Sequence, residues 1–421
     1  MKALHSLSAI AITASLVFAL APISQGHALS DTFETAPEQN ADVVLEGKDA
    51  GPGYLVLSPV RSNGFLRQYE VQADPGIERL SGDGLLKLRL HELEVLSALA
   101  KLETEKSFLD GLTEAAKRPV GFVESTVTDP VGTAKNTISG VGRVFGRISK
   151  GVEEAVSGNA GSPADLAKSI TGQAKARREL AVKLNVDPYT TYKPLSDKLD
   201  QAANVSTAGS LTVGVVLSLV PGGMISQVAS TAESLRTSLI DSTPTELAER
   251  TAQTLRDDGI SEQVITQLMH NEFYTPTERA VIAYQLRQFT TVEGLELLAA
   301  KAASAEGRDV AYFQLRRVVL TQYYNEKISG LASIKDVAGF PVAIRRDGVA
   351  AVIMPMDMVA WTESTASTFS SINEGLSGLP FPPTSVDFLM TGDITDMAAE
   401  RIASFGWGIT SNQPMPEGVV Y

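Results

Sequence analysis

Thr243-Pro244-Thr245-Glu246 and Thr275-Pro276-Thr277-Glu278 decide the fold class of this chain. Each places threonine at a helix N-cap, where its hydroxyl accepts from the backbone of the first turn. Proline follows at N1 with its φ preset, and glutamate at N3 reaches back to the N–H of the cap. Two helices therefore start at 244 and 276. The tetrapeptides stand 32 residues apart, with Ala248 and Gln253 echoed at Ala280 and Gln285, which is the period of a helical hairpin. A genuine repeat and a good helix start used twice both account for this spacing. Thr290-Thr291-Val292-Glu293 repeats Thr-x-x-Glu without the proline, so a third start is expected there, and Gly259 and Gly307 fall where helices should stop. Residues 243–329 read as several short antiparallel helices.

Upstream, helical spacing covers 163–184 and 194–203, with a turn at Val186-Asp187-Pro188-Tyr189 between them. Residues 211–219 form the most apolar run after the N-terminal leader. Pro221-Gly222-Gly223 stops that run at about half a membrane span, so it reads as a buried helix. From Gly84 onward Leu86, Leu90, Leu93, Leu96 or Ser97, and Ala100 recur at three- and four-residue intervals, predicting a long amphipathic helix that ends before Pro119. Before it, 54–57 and 65–71 flank Ser62-Asn63-Gly64, a hairpin signal because Asn and Gly tolerate positive φ. Downstream, 342–346 and 349–353 flank Asp347-Gly348, a second hairpin. Residues 378–383 are a stiff proline-rich linker. A strand at 386–390, a helix at 396–405 capped by Gly406, and a strand at 407–410 complete a small C-terminal α+β unit.

The expected fold class is mainly α with α+β parts: an N-terminal β-hairpin, a central multi-helix region and a C-terminal small α+β unit. The expected segmentation is a signal peptide (1–28), a flexible leader (29–50), a hairpin plus long helix (51–118), a Gly/Val-rich segment (119–161), a helical domain (162–333) and a small α+β domain (334–421). The signal peptide is read from Lys2, the apolar run at 7–23 and the small residues Gly26 and Ala28 at −3 and −1. It predicts export to the periplasm, the cell envelope or the medium.

Composition narrows the function. The 421 residues carry 36 basic and 49 acidic side chains, a formal net charge of −13. Losing Lys2 with the leader makes the remainder one unit more negative, a poor generic binder of nucleic acid. There is no cysteine, so disulfides, thiolate nucleophiles and Cys-ligated metals are excluded. Of four histidines, His5 and His27 lie in the leader, leaving His91 and His270. His91-Glu92 begins like a zinc-protease helix, but Val95 stands where the second histidine is required; His91 reads as a surface residue of its helix. His270 reads as a helix-end residue. No Gly-x-Ser-x-Gly elbow occurs. Gly140-Val141-Gly142-Arg143-Val144-Phe145-Gly146 lacks the terminal Gly-Lys-Ser/Thr of a phosphate loop. Asp257-Asp258 and Asp393 with Asp396 do not match calcium-loop spacing and read as solvated helix ends. Phe381, Phe388, Trp361 and Trp407 supply either an aromatic face or, more simply, a small core. No catalytic, cofactor-binding or metal-binding residue is assigned.

One constellation survives. If 131–156 is helical, its apolar residues fall within an arc of about 140° and Arg143, Arg147 and Lys150 fall opposite. No acidic residue occurs at 130–152. Gly132, Gly140, Gly142, Gly146 and Gly151 each cost about 1 kcal/mol relative to Ala, so such a helix needs a surface to lie on. That surface is the protein's own core, an anionic membrane or a protein partner in the envelope. The candidate surface-docking residues are Lys135, Ile138, Val141, Arg143, Phe145, Arg147, Ile148 and Lys150.

The stretches Gly51-Pro52-Gly53-Tyr54 through Tyr69, Arg118-Pro119-Val120-Gly121-Phe122 through Arg147, and Leu184-Asn185-Val186-Asp187-Pro188-Tyr189 resemble a group of uncharacterised exported bacterial proteins. The resemblance covers residues 50–200. It implies a bacterial envelope setting and carries no activity. An exported interaction or scaffold protein is therefore the leading expectation. A periplasmic hydrolase using carboxylates and a structural subunit of an envelope assembly are the alternatives. No later run reaches the length of a transmembrane helix.

Overall fold

The computed structural model describes residues 32–74, 76–103, 163–207, 233–416 and 418. The expected signal peptide (1–28), the run at 211–219 and all eight candidate docking residues lie outside them. The described chain is mixed α+β, with no helix long and apolar enough to cross a membrane among the described residues.

The N-terminal sheet contains β1 (Ala50–Gly51), β2 (Tyr54–Val56), β3 (Arg61–Ser62), β4 (Arg67–Ala73) and β5 (Gly76–Ser81), all antiparallel. β4 is its centre. The expected pairing of 54–57 with 65–71 exists, Tyr54 lying opposite Ala73. The Asn63-Gly64 turn, however, closes the shorter β3–β4 pair. Gly64 has φ +91°, and Asn63 Oδ1 accepts from Phe65 N at 2.9 Å and Leu66 N at 2.8 Å. The supposed flexible leader is instead tied down. Gln39 bridges Val60, α1 (Ala41–Val44) buries Ala41, and Glu34 N donates to Trp361 O at 2.9 Å. Paired backbone holds this segment despite its polar composition, which shows no apolar period.

α2 (Asp83–Glu103), α3 (Pro163–Lys183) and α4 (Lys193–Thr207) share an apolar cluster. Val95, Ala98 and Leu99 meet Leu180, Ala181, Leu184, Leu195 and Leu199 there. After α5 (Glu233–Asp241) come α6 (Pro244–Asp257), α7 (Glu262–His270), α8 (Pro276–Arg287) and α9 (Glu296–Ala303). Both Thr-Pro-Thr-Glu motifs form complete capping boxes. α6 packs on α8 and α7 on α9. Gly259 ends α6 with φ +79°.

Two expectations at this end are corrected. Thr290-Thr291-Val292-Glu293 starts no helix, because Glu293 pairs as a strand with the next sheet: Ile334 N donates to its carbonyl at 2.7 Å. Gly307 ends no helix; it precedes α10 (Arg308–Tyr323) in extended conformation, and α9 has already stopped at Ala303.

After a π-turn at Tyr324–Ile328, the C-terminal sheet has its strands side by side in the order Trp407–Thr410, Val386–Met390, Ala350–Met354, Phe340–Arg345, Leu331–Val337. It comprises β6 (Leu331–Val337), β7 (Phe340–Arg345), β8 (Ala350–Met354), β10 (Val386–Met390) and β12 (Trp407–Thr410). β7–β8 is the expected Asp347-Gly348 hairpin. β8, β10 and β12 are mutually parallel, which requires crossover connections. α11 (Glu363–Ser377) and α12 (Asp396–Ser404) supply them. A side pair, β9 (Met358–Val359) and β11 (Asp393–Ile394), runs beside these crossovers.

β8 is buried throughout and alternates between two cores. Ala350, Val352 and Met354 face α11 and α12, while Ala351 and Ile353 join the helical core. Trp361, Phe388 and Trp407 pack with Phe369 on the crossover side, so they fill a core; Phe381 stands exposed on its proline-rich loop.

Candidate functional site: a buried polar seam

α10 carries Arg308, Tyr312 and Arg316 at four-residue intervals, hence on one face. That face lies against α2. Gly84, in the first turn of α2, makes room for Arg316: a Cβ there would stand 2.7 Å from its Cδ. At each end of this face a guanidinium enters a cluster of carboxylates.

At the Arg308 end, Glu278 is the N3 glutamate of the second capping box. It accepts Arg308 through both oxygens at 2.6 and 2.9 Å, and Thr275 N at 2.9 Å. Asp187, fully enclosed in the turn between α3 and α4, accepts from the Thr275 and Thr277 hydroxyls at 2.5 Å each and from Tyr189 N at 2.8 Å. The expected turn is thus bolted to the start of α8. Glu92 of α2 accepts from Thr190 and pairs with Arg89. Arg89 also meets Glu78 at 2.9 Å and stacks 4.1 Å from the Tyr192 ring centre. Burial pushes the Glu92 carboxyl up to about 7 against the opposing pull of Arg89. Burial likewise raises Asp187 and Glu278, opposed by the threonine hydroxyls and by Arg308 respectively. Glu92, Asp187, Thr190 and Arg308 line a small cleft here, with room for about one water molecule.

At the Arg316 end, Asp357 Oδ2 accepts Asp83 N at 3.0 Å and Arg67 N at 3.2 Å, while Arg316 stands 3.8 Å from Oδ1. Arg67 donates to Asp83 at 2.7 Å and to Asp393 at 2.8 Å, and the Tyr69 hydroxyl donates to Asp83 at 2.6 Å. Burial first, and the neighbouring Asp83 second, push Asp357 up to about 7. Asp393, expected as a solvated helix end, is an ion-pair partner of Arg67. Gly392 is required beside it, because a Cβ would fall 2.0 Å from Asp357 O.

Asp357 and Asp393 follow the carboxyl ends of β8 and β10, where open α/β sheets place their ligands. Here the chain fills that place itself. Gly64 and Phe65 carbonyls accept from Ala360 N at 3.2 Å and Asp357 N at 3.0 Å. The Glu34 carboxylate takes Trp361 N at 2.6 Å and the Thr395 hydroxyl. Among the described residues no group of three or more His, Asp and Glu is arranged to hold a metal ion.

The two histidines are structural. His91 is half-buried, not a surface residue, and its Nε2 donates to Leu184 O at 3.0 Å. His270 closes α7 and donates from Nδ1 to Thr266 O at 2.8 Å. The seam itself was not read from the sequence, although Arg308-x3-Tyr312-x3-Arg316 was a usable signal: two cations and a tyrosine at four-residue spacing, hence on one face of their helix.

The docking candidates lie outside the described residues, and only the positions of their flanks are described. His91 places the end of α3 beside the first half of α2, and Arg89 over Tyr192 places the start of α4 there too. Leu99 of α2 and Leu199 of α4 share a cluster further along. Glu103, Pro163 and Thr207 therefore lie toward one pole of this helix group, opposite the seam. No protein-family model matches this chain, and neither a curated protein nor a solved structure matches it.

Proposed function

We propose that this protein is an exported interaction protein of the bacterial envelope that docks peripherally on an anionic membrane surface through residues 119–156. The observation that carries the reading is the common pole. Segment 104–162, with its acid-free cationic stripe, leaves and re-enters the helix group at Glu103 and Pro163. Segment 208–232, with the most apolar run, continues from Thr207 at the same pole. An acid-free cationic run at 130–152, inside a segment otherwise balanced in charge, and an uncharged apolar run, both attached at that pole, suit a surface that is anionic outside and apolar beneath. Fractionation of the native cells tests it. Recovery in the membrane pellet, with release by salt or carbonate, is expected; recovery wholly in the soluble fraction contradicts it.

A hydrolase using carboxylates is the second reading. Its support is the shared cleft of Glu92 and Asp187, two carboxyls that burial makes reluctant to ionise. Internal donors already engage both groups, and the cleft admits about one water, which favours holding over turnover. The structural-subunit reading has less support, since large exposed apolar side chains in the described helices from α6 onward, such as Val310 and Ile328, stand singly.

A further inference from the structure

Each end of the seam carries one carboxylate more than its guanidiniums balance. Glu92, Asp187, Glu278 and, nearer the surface, Glu78 face Arg89 and Arg308, with Arg279 beside Glu278; Asp357, Asp83 and Asp393 face Arg67 and Arg316. Glu92, Asp187, Glu278 and Asp357 are all almost wholly buried. An unbalanced charge in such a place is far costlier than a bound proton.

We propose that the α2–α10 junction is a proton-linked latch. Each cluster holds a proton under mildly acidic conditions and gives it up as the surroundings become neutral, which weakens the grip of α8 and α10 on α2 and on the 184–192 turn. This goes beyond membrane docking and does not depend on it.

The surroundings of both groups fit. Glu92 meets Arg89 on its own helix, Asp187, Thr190 and Tyr192 from the turn, and Arg308 and Tyr312 from α10, with Glu78 of β5 on the far side of Arg89 and Glu278 of α8 on the far side of Arg308. Asp357 meets Asp83 from α2, Arg67 and Tyr69 from β4, and Arg316 from α10, with Asp393 beyond Arg67. Histidine belongs to neither set; His91 faces Leu184 and Glu94 instead. Burial raises Glu92 and Asp357 from ordinary values of 4.5 and 3.8 to about 7. The unfolded chain ionises first, so folding loses ground as pH rises from about 4 to 7 and levels off above. A single such group shifts the unfolding equilibrium on the order of a hundredfold across that window.

The test is urea unfolding of the full chain at pH 5, 6, 7 and 8, together with infrared difference spectra that report protonated carboxyl groups. The wild type, with one such group in each cluster, should unfold on the order of several thousandfold more readily at pH 8 than at pH 5. Glu92→Gln and Asp357→Asn should each flatten that slope and remove part of the protonated-carboxyl band. Thr190→Val guards against misfolding of either variant: it removes a donor to the ionised Glu92, so the band should titrate at higher pH. Stability that climbs from pH 5 to 8 overturns the latch. So does a slope that survives the double substitution, or a Thr190→Val midpoint that does not move.

Discussion

Replacing Asp187 by alanine removes the acceptor for three enclosed donors: the Thr275 and Thr277 hydroxyls at 2.5 Å and the Tyr189 amide at 2.8 Å. An orphaned buried donor costs about 1–3 kcal/mol, so the simple sum is roughly 3–9 kcal/mol. Two effects reduce it. The hydroxyls can rotate toward other acceptors, and removing a carboxylate that burial already disfavours returns part of its desolvation cost. We expect about 3–5 kcal/mol for Asp187→Ala, a large share of the ~5–15 kcal/mol typical of a domain. Asp187→Asn keeps one acceptor oxygen and the shape, and should cost about 1–2 kcal/mol. Urea unfolding at pH 7, followed by far-UV circular dichroism, reads both. Equal costs for the two variants, or less than about 1 kcal/mol for alanine, would refute the idea that a carboxylate acceptor bolts the turn to α8.

The identical capping tetrapeptides should respond differently. Thr243→Ala, at an exposed cap, should cost about 1 kcal/mol, whereas Thr275→Ala also strips a donor from Asp187 and should cost about 2–3 kcal/mol in the same assay. Arg308→Met leaves Glu278 buried without its bidentate partner and should cost about 3–5 kcal/mol. Arg317→Met should be neutral or stabilising, since burial lowers that guanidinium to about 10 and Pro341 O accepts from it at 2.7 Å without any carboxylate ion pair among the described residues. Thermal unfolding of the pair decides, and a costly Arg317→Met would show an unrecognised counter-charge. Gly294→Ala, at φ +76° with its Cβ placed 2.3 Å from Ile334 O, should lower stability by more than about 2 kcal/mol.

What was legible in the sequence is what local chemistry dictates. The capping threonines, Asp347-Gly348 and Gly406 act within a few residues, and they mark true element ends. Non-local pairing was not legible. Glu293 looked like a helix N3 residue, yet a strand forty residues on captures its backbone. α11 has a Thr362 cap with threonine in place of glutamate at N3, so the usual signature was missing and the parallel strands it connects read as a loose α+β unit. The tied-down leader depends on Trp361 and Val60, both far along the chain from their partners. The seam was hidden for the same reason. Asp83, Glu92, Asp187, Glu278 and Asp357 are each ordinary in their own neighbourhood, and only the packing of α2 on α10 makes them one site.

Co-sedimentation of the chain from residue 29 onward with anionic phospholipid vesicles tests membrane docking most directly, with neutral vesicles and high salt as controls. Binding to anionic vesicles that salt weakens, and that Arg143→Glu, Arg147→Glu and Lys150→Glu together abolish without changing thermal stability, is the predicted result. Equal behaviour on anionic and neutral vesicles, or a triple variant that binds as the wild type does, would contradict it.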